Sequence, residues 1–131
     1  MATDNPDTGR ELRSLVTAEG MLELSLADVP VPEPKPDEVI VRVEAAPINP
    51  SDLGLLFAGA DMTAATRSGL PDRPVVTAPI APAAMRALAA RVGVSLPAGN
   101  EGAGTVIAAG SSPAARALLG RVVAVAPGGM Y

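Results

Sequence analysis

The chain contains 131 residues, which is enough for one domain of ordinary size. It has no Cys and no His, which excludes disulfides, thiolate metal sites, thiol nucleophiles and a histidine general base. Its net charge is −4, only 2% of its residues are aromatic, and no basic cluster could follow a phosphate backbone, so nucleic-acid binding is not expected.

The N-terminal residues are polar and acidic, and they do not have the form of a signal peptide. No run of about eighteen apolar residues occurs, so the sequence predicts no membrane span. A cytoplasmic location is the resulting expectation, and residues 1–9 are expected to form a flexible tail.

A β-hairpin is predicted directly after the tail. Residues 11–16 form its first strand, and the alternation of apolar and polar side chains over residues 21–26 predicts its second. Residues 17–20 form the turn, in which Gly20 can adopt a positive φ.

Proline then occupies every second position from Pro30 to Pro36. Each proline fixes φ and removes a backbone donor, so this segment is predicted to be an extended connector rather than a central strand. A ligand for a proline-recognising domain is the less favoured alternative. The connector leads into residues 39–45, where alternate valines predict the clearest strand of the chain.

Residues 58–98 are predicted to be loop around a single helix. The helix spans residues 83–92, because Met85, Leu88 and Val92 recur at helical spacing, with Pro82 in the first turn and Gly93 after the end. Two further strands are predicted at residues 104–109 and 121–126, with a helical turn at residues 114–119 between them.

Two short segments have the composition of a functional site. Asn49-Pro50-Ser51-Asp52 follows a strand and predicts the beginning of a helix, which by itself requires no function. The second segment, residues 99–106, has glycines that allow a tight turn into a packed strand. Their order differs from that of a dinucleotide-binding Gly-x-Gly-x-x-Gly, and a strand follows rather than a helix, so this turn is not a phosphate-binding loop.

Five segments of the chain occur in the same order as in the substrate domain of medium-chain dehydrogenases and reductases, which they resemble. The resemblance is to the zinc-independent branch of that family, the quinone oxidoreductases and enoyl reductases. The resemblance implies a mainly β fold, a partly open GroES-like barrel with an inserted helix, in which the Rossmann domain is absent from this chain. The five segments are residues 30–36, 39–45, 48–53, 99–109 and 120–126, and the resemblance covers residues 10–57 and 96–131.

The same resemblance divides the chain into a tail, residues 1–9, and an incomplete GroES-like substrate domain, residues 10–131. Residues 58–96 would be an insertion that serves as a lid, an oligomer contact or a surface decoration. Residues 126–131 are similar to the glycine-rich turn that precedes another strand in the family. The chain is therefore expected to be a fragment that shows no NADPH oxidation by itself.

The zinc-dependent branch carries a Cys at the position of Asn49 and a His at the position of Asn100, and a carboxamide is a poor Zn²⁺ ligand. The resemblance therefore implies a site without metal. It implies that Asn49 is the catalytic residue beside the nicotinamide ring. The remaining site residues implied by the resemblance are Ser51, Leu56, Phe57 and Asn100 for substrate binding, and Asp52 and Glu101 for the structure of the turn.

The function implied for the whole protein is hydride transfer from NADPH to a quinone or an α,β-unsaturated carbonyl compound, with the cofactor bound mainly by a domain not present in this chain. NADH in place of NADPH stays open. A homodimer would form through the missing domain. Unlike many enoyl reductases, the chain has no tyrosine soon after Asn49. The alternatives are a stand-alone GroES-like binding or scaffold module and one half of a split enzyme.

Overall fold

Two antiparallel sheets account for most of the regular structure. The computed structural model describes residues 7–126 and 128–129. In those residues the chain is mainly β, as predicted, and the two sheets are compatible with a partly open GroES-like barrel. The strands are β1 (Thr8–Val16), β2 (Met21–Pro30), β3 (Val39–Ala45), β4 (Thr66–Leu70), β5 (Arg73–Pro79), β6 (Leu96–Pro97), β7 (Gly102–Ala109) and β8 (Val122–Val125).

The first sheet has the strand order β4-β5-β2-β1-β6, and the second has the order β3-β7-β8. Three short helices connect the strands: α1 (Pro50–Phe57), α2 (Pro82–Ala87) and α3 (Pro113–Ala117). Two 3₁₀ turns, Met62–Ala64 and Ala89–Arg91, complete the described elements. None of the helices in the described ranges is long and apolar enough to cross a membrane.

The predicted N-terminal hairpin is present, and both of its strands are longer than predicted. Gly20 has φ 79° in the turn, as expected for this position. The prediction that residues 1–9 form a tail is wrong for Thr8 and Gly9, which pair with Pro30 and Val29. Backbone pairing extends these strands beyond the alternating side-chain pattern from which their ends were predicted. Residues 1–6 lie outside the described residues.

The prediction of loop around one helix for residues 58–98 is wrong, because this segment contains β4, β5 and β6. β5 pairs with β2 from Met21↔Pro79 to Leu24↔Val76, and β4 pairs with β5. β5 is therefore an integral part of the first sheet rather than a decoration on its surface. Gly and Pro around these short strands hid their pattern, and one pairing partner of β5, the strand β2, is distant in sequence.

The helix predicted over residues 83–92 is also shorter than expected. α2 ends at Ala87, Leu88 leaves the helical region with φ −96° and ψ 7°, and a 3₁₀ turn follows. Met85, Leu88 and Val92 nevertheless pack against the core cluster that Val16, Leu22, Ala58 and Ile80 form. The apolar spacing correctly indicated which side chains face the core, although the helix is interrupted.

The remaining predicted elements are close to those observed. β3 has the predicted bounds. The predicted connector contains no strand or helix from residue 31 to residue 35, but its first residue, Pro30, ends β2 and pairs with Thr8. β7 begins two residues before the predicted strand, while β8 lies within residues 121–126. α3 overlaps the predicted helical turn, and the Ser112 hydroxyl accepts a hydrogen bond from the Ala115 N–H at 3.1 Å. Of the glycine-rich end, residues 127, 130 and 131 lie outside the described residues.

Gly54 offers a test of the site helix α1. It lies in the helix interior with negative φ, and a Cβ built on it would meet no atom within 4 Å. Gly is less favourable than Ala at such positions by roughly 0.5–1 kcal/mol. Gly54→Ala is therefore expected to raise the free energy of unfolding by about that amount, measured by chemical denaturation. A loss of stability would contradict the observed helix geometry.

Candidate active-site turn

The site is built at the first turn of α1. Asn49 is the N-cap residue, with extended backbone angles of φ −90° and ψ 157°, and Pro50 takes the first helical position. The backbone N–H of Asn49 donates to Oδ2 of Asp52 at 2.7 Å. This is one half of a capping box, and it places a carboxylate at the positive end of the helix dipole. The Asn-Pro-Ser-Asp segment begins a helix as predicted.

Asp52 also connects the helix to the glycine-rich turn before β7. Its side chain is 1% exposed, and its Oδ1 accepts a hydrogen bond from Nδ2 of Asn100 at 2.6 Å. The same Nδ2 lies 3.4 Å from the Ser51 hydroxyl oxygen. A carboxylate this deeply buried needs such donors, because an unpaired one would be strongly disfavoured. The structural role predicted for Asp52 thus has a visible physical basis.

A second bond runs in the opposite direction between the same two segments. Nδ2 of Asn49 donates to Oε1 of Glu101 at 2.8 Å. Each segment therefore contributes one carboxamide donor and one carboxylate acceptor to the other. Charge-assisted hydrogen bonds of this kind are stronger than those between neutral groups. Glu101 itself is exposed, so its carboxylate also has access to solvent.

The structure brings together five of the seven residues predicted for the site, and the other two lie elsewhere. Leu56 is 6% exposed, and Phe57 packs against the core cluster. Leu56 follows Asp52 by four residues, so both lie on the inner face of α1. The prediction that Leu56 and Phe57 line a substrate cleft is not what the described chain shows. The five that meet are Asn49, Ser51, Asp52, Asn100 and Glu101.

An apolar cavity of about 610 Å³ lies beside Glu101, at one end of the second sheet. Its wall contains a row of three alanines, because Ala45 pairs with Ala103 and Ala103 pairs with Ala124 across the three strands. Glu101 is the one charged residue in its described lining. The lining consists of Ala45, Ala46, Pro47, Glu101, Gly102, Ala103, Ala124, Val125 and Ala126.

No sequence pattern predicted these alanines, since an alanine side chain carries no reactive or polar group. Their alignment results from strand register, which no local pattern in this chain specifies. Ile48, which directly precedes Asn49, is 70% exposed.

The described residues contain no group of three or more His, Cys, Asp or Glu side chains that could hold a metal ion. The carboxamides of Asn49 and Asn100 both donate to carboxylates, which orients their N–H groups toward the opposite segment. Nδ2 of Asn49 has a second hydrogen that its bond to Glu101 does not use, so the arrangement can present an amide N–H donor and an apolar surface to a bound molecule. Such a combination of apolar walls and a few placed polar groups is typical of small-molecule sites.

Comparison with known proteins gives one short similarity. No family model matches the chain. The chain is 53% identical over 34 residues to the zinc-type alcohol dehydrogenase-like protein C337.11 of Schizosaccharomyces pombe, a stretch that covers 26% of this chain and 10% of that protein. The similarity supports a relationship to dehydrogenases and reductases. Because the chain matches only a tenth of this relative's length, the activity of the whole protein is a matter for proposal.

Proposed function

We propose that the chain forms the substrate-domain part of an NAD(P)H-dependent oxidoreductase that transfers hydride to a quinone or an α,β-unsaturated carbonyl compound without zinc. The observation that carries this proposal is the reciprocal pairing of Asn49 with Glu101 and of Asn100 with Asp52, at the edge of the alanine-walled cavity. The short similarity to an alcohol dehydrogenase-like protein supports the oxidoreductase class.

The chemistry of the donors supports the proposal that the site works without zinc. A catalytic zinc site uses three protein ligands from Cys, His, Asp or Glu, and this sequence contains no Cys and no His. The two carboxylates of the site are each already the acceptor of an Asn side-chain N–H. In this arrangement the two carboxylates connect the two segments. The carbonyl group of the substrate would then be polarised by hydrogen bonds.

We propose that the cavity receives the nicotinamide ring, because its volume and apolar lining are typical of small-molecule sites. Its walls are small and apolar, so a flat ring could lie against Ala103 and Ala124, and Asn49 lies close by through its bond to Glu101. Nicotinamide, when bound, supplies the hydride, while the protein provides binding, orientation and electrostatics. The ring would be held here mainly by shape and by contact with apolar atoms.

Asn49 is the residue that we expect to act on the substrate. Its Nδ2 carries two hydrogens, and the bond to Glu101 uses one of them. The second can donate to the carbonyl oxygen of the substrate, where negative charge develops during hydride transfer. Glu101 would fix the rotamer of Asn49, so the donor is oriented before the substrate arrives.

Asn49→Ala is therefore expected to lower kcat by about tenfold or more in the protein expressed from its complete gene. The measurement is steady-state oxidation of NADPH and of NADH with a quinone and with an enone. Ser68→Ala, an exposed change in β4 far along the chain, serves as the control and should leave kcat unchanged. An unaltered kcat in Asn49→Ala would contradict the proposed role.

A further inference from the structure

The C-terminal end of α1 rests on a buried serine of β1. The Ser14 side chain is 0% exposed, and its hydroxyl donates to the carbonyl oxygen of Leu55 at 2.9 Å and lies 3.3 Å from that of Leu56. These carbonyls belong to the last turn of the helix, where no N–H of the helix itself is available. Ser14 therefore satisfies helix-end acceptors that would otherwise be buried without a donor.

Arg91 holds this serine from the opposite side. Its Nη2 donates to Oγ of Ser14 at 3.1 Å. The ion pairs of the described residues do not include Arg91, and its buried Nε has no hydrogen-bond partner there. Burial lowers the pKa of the Arg91 guanidinium from its usual value. A cation in this position carries a desolvation cost that no carboxylate in the described part of the chain offsets.

The position of the Arg91 charge offsets part of this desolvation cost. The Arg91 guanidinium lies next to Ser14, which contacts the last carbonyls of α1, and a cation is favourable near the negative end of a helix. Arg91 also polarises the hydroxyl that donates to those carbonyls, which strengthens that bond. If Arg91 did no more than fill space, an apolar side chain of similar size in its place would leave the free energy of unfolding unchanged.

The two ends of α1 are thus attached to different parts of the fold. Asp52 and Asn100 attach its first turn to the segment before β7, while Ser14 and Arg91 attach its last turn to β1. A rigid helix held at both ends has its orientation determined by both attachments. Rotation at the last turn would therefore move the first turn, where Asn49 is the N-cap.

We propose that Ser14 and Arg91 are positioning residues, which set the orientation of α1 and thereby the placement of Asn49 for the reaction. This inference rests on the proposed function for its effect on turnover, but its effect on the helix can be measured separately. Neither residue contacts the cavity beside Glu101, so both act through the helix.

The test compares Ser14→Ala, Arg91→Met and Arg91→Lys with Arg86→Met, which removes an exposed arginine from the neighbouring α2. Hydrogen exchange of residues 50–57 and steady-state kinetics are measured in the protein expressed from its complete gene. For Ser14→Ala and Arg91→Met we expect exchange in α1 to rise about tenfold and kcat to fall about tenfold, with the KM for NADPH unchanged. Arg91→Lys should recover part of kcat, because lysine retains a cationic donor, and Arg86→Met should resemble the unaltered protein.

The outcomes separate this inference from the proposed function. Unchanged exchange in α1, or exchange that rises equally in β1 and β2, would overturn the positioning role, since the latter pattern indicates general destabilisation. If Ser14→Ala does not fold, the two Arg91 variants decide the matter. If exchange rises in α1 alone but the unaltered protein oxidises neither NADPH nor NADH with any quinone or enone, the attachment stands and the proposed function fails.

Discussion

Asp52→Ala is expected to lower the free energy of unfolding by about 2–4 kcal/mol and to remove most of the activity. Asp52 is buried, and its two oxygens accept the backbone N–H of Asn49 and the side-chain N–H of Asn100. Alanine would remove the buried acceptor of both N–H groups, one on the half-buried Asn49 and one on the exposed Asn100. It would also remove one of the two charge-assisted side-chain connections between α1 and the segment before β7, so only the bond to Glu101 would hold the proposed donor Asn49 in place.

The matched control for this change is Asp72→Ala, which removes an exposed carboxylate from the turn between β4 and β5. Chemical denaturation and steady-state kinetics are measured for both variants and for Asp52→Asn. The asparagine variant keeps one acceptor and should lose less stability than the alanine variant. Equal stability of Asp52→Ala and Asp72→Ala would show that the buried carboxylate does not connect the two segments.

Gly104→Ala is expected to destabilise the protein by about 3 kcal/mol or more, or to prevent folding. β7 approaches β3 so closely here that an added Cβ would collide with the carbonyl oxygen of Arg42, and would lie 2.7 Å from its carbon and 2.8 Å from Cα of Val43. Those atoms are backbone, so they cannot move aside as a flexible side chain would. The strand register shifts at this point, between Val43 and Ala45.

Gly54→Ala is the natural comparison, because it makes the same chemical change where a Cβ has open space. Opposite effects of the two substitutions on the free energy of unfolding would confirm that close approach of the strands requires Gly104. A Gly104→Ala variant with unaltered stability would mean that β3 and β7 are farther apart than observed. The close approach of β3 to β7 is therefore a structural reason for Gly104 that is independent of any ligand.

Sequence patterns that involve neighbouring residues predicted the local structure well. The start of a helix in residues 49–52, the positive φ of Gly20 and the bounds of β3 were all predictable, since capping, turn conformation and side-chain alternation depend on residues within a few positions. Helix length was predicted poorly for α2, because apolar spacing reports which side chains are buried and says little about where the backbone leaves the helix.

By itself, the sequence determined which chemistry is available: carboxamides and carboxylates in two short turns, without Cys or His. Only the tertiary structure decided how these groups pair, that β5 joins β2, that three alanines align beside Glu101, and that Ser14 contacts both Arg91 and the far end of α1. The physical reason is that these contacts join residues dozens of positions apart. They depend on strand pairing and on burial of the whole chain, and no local propensity encodes either.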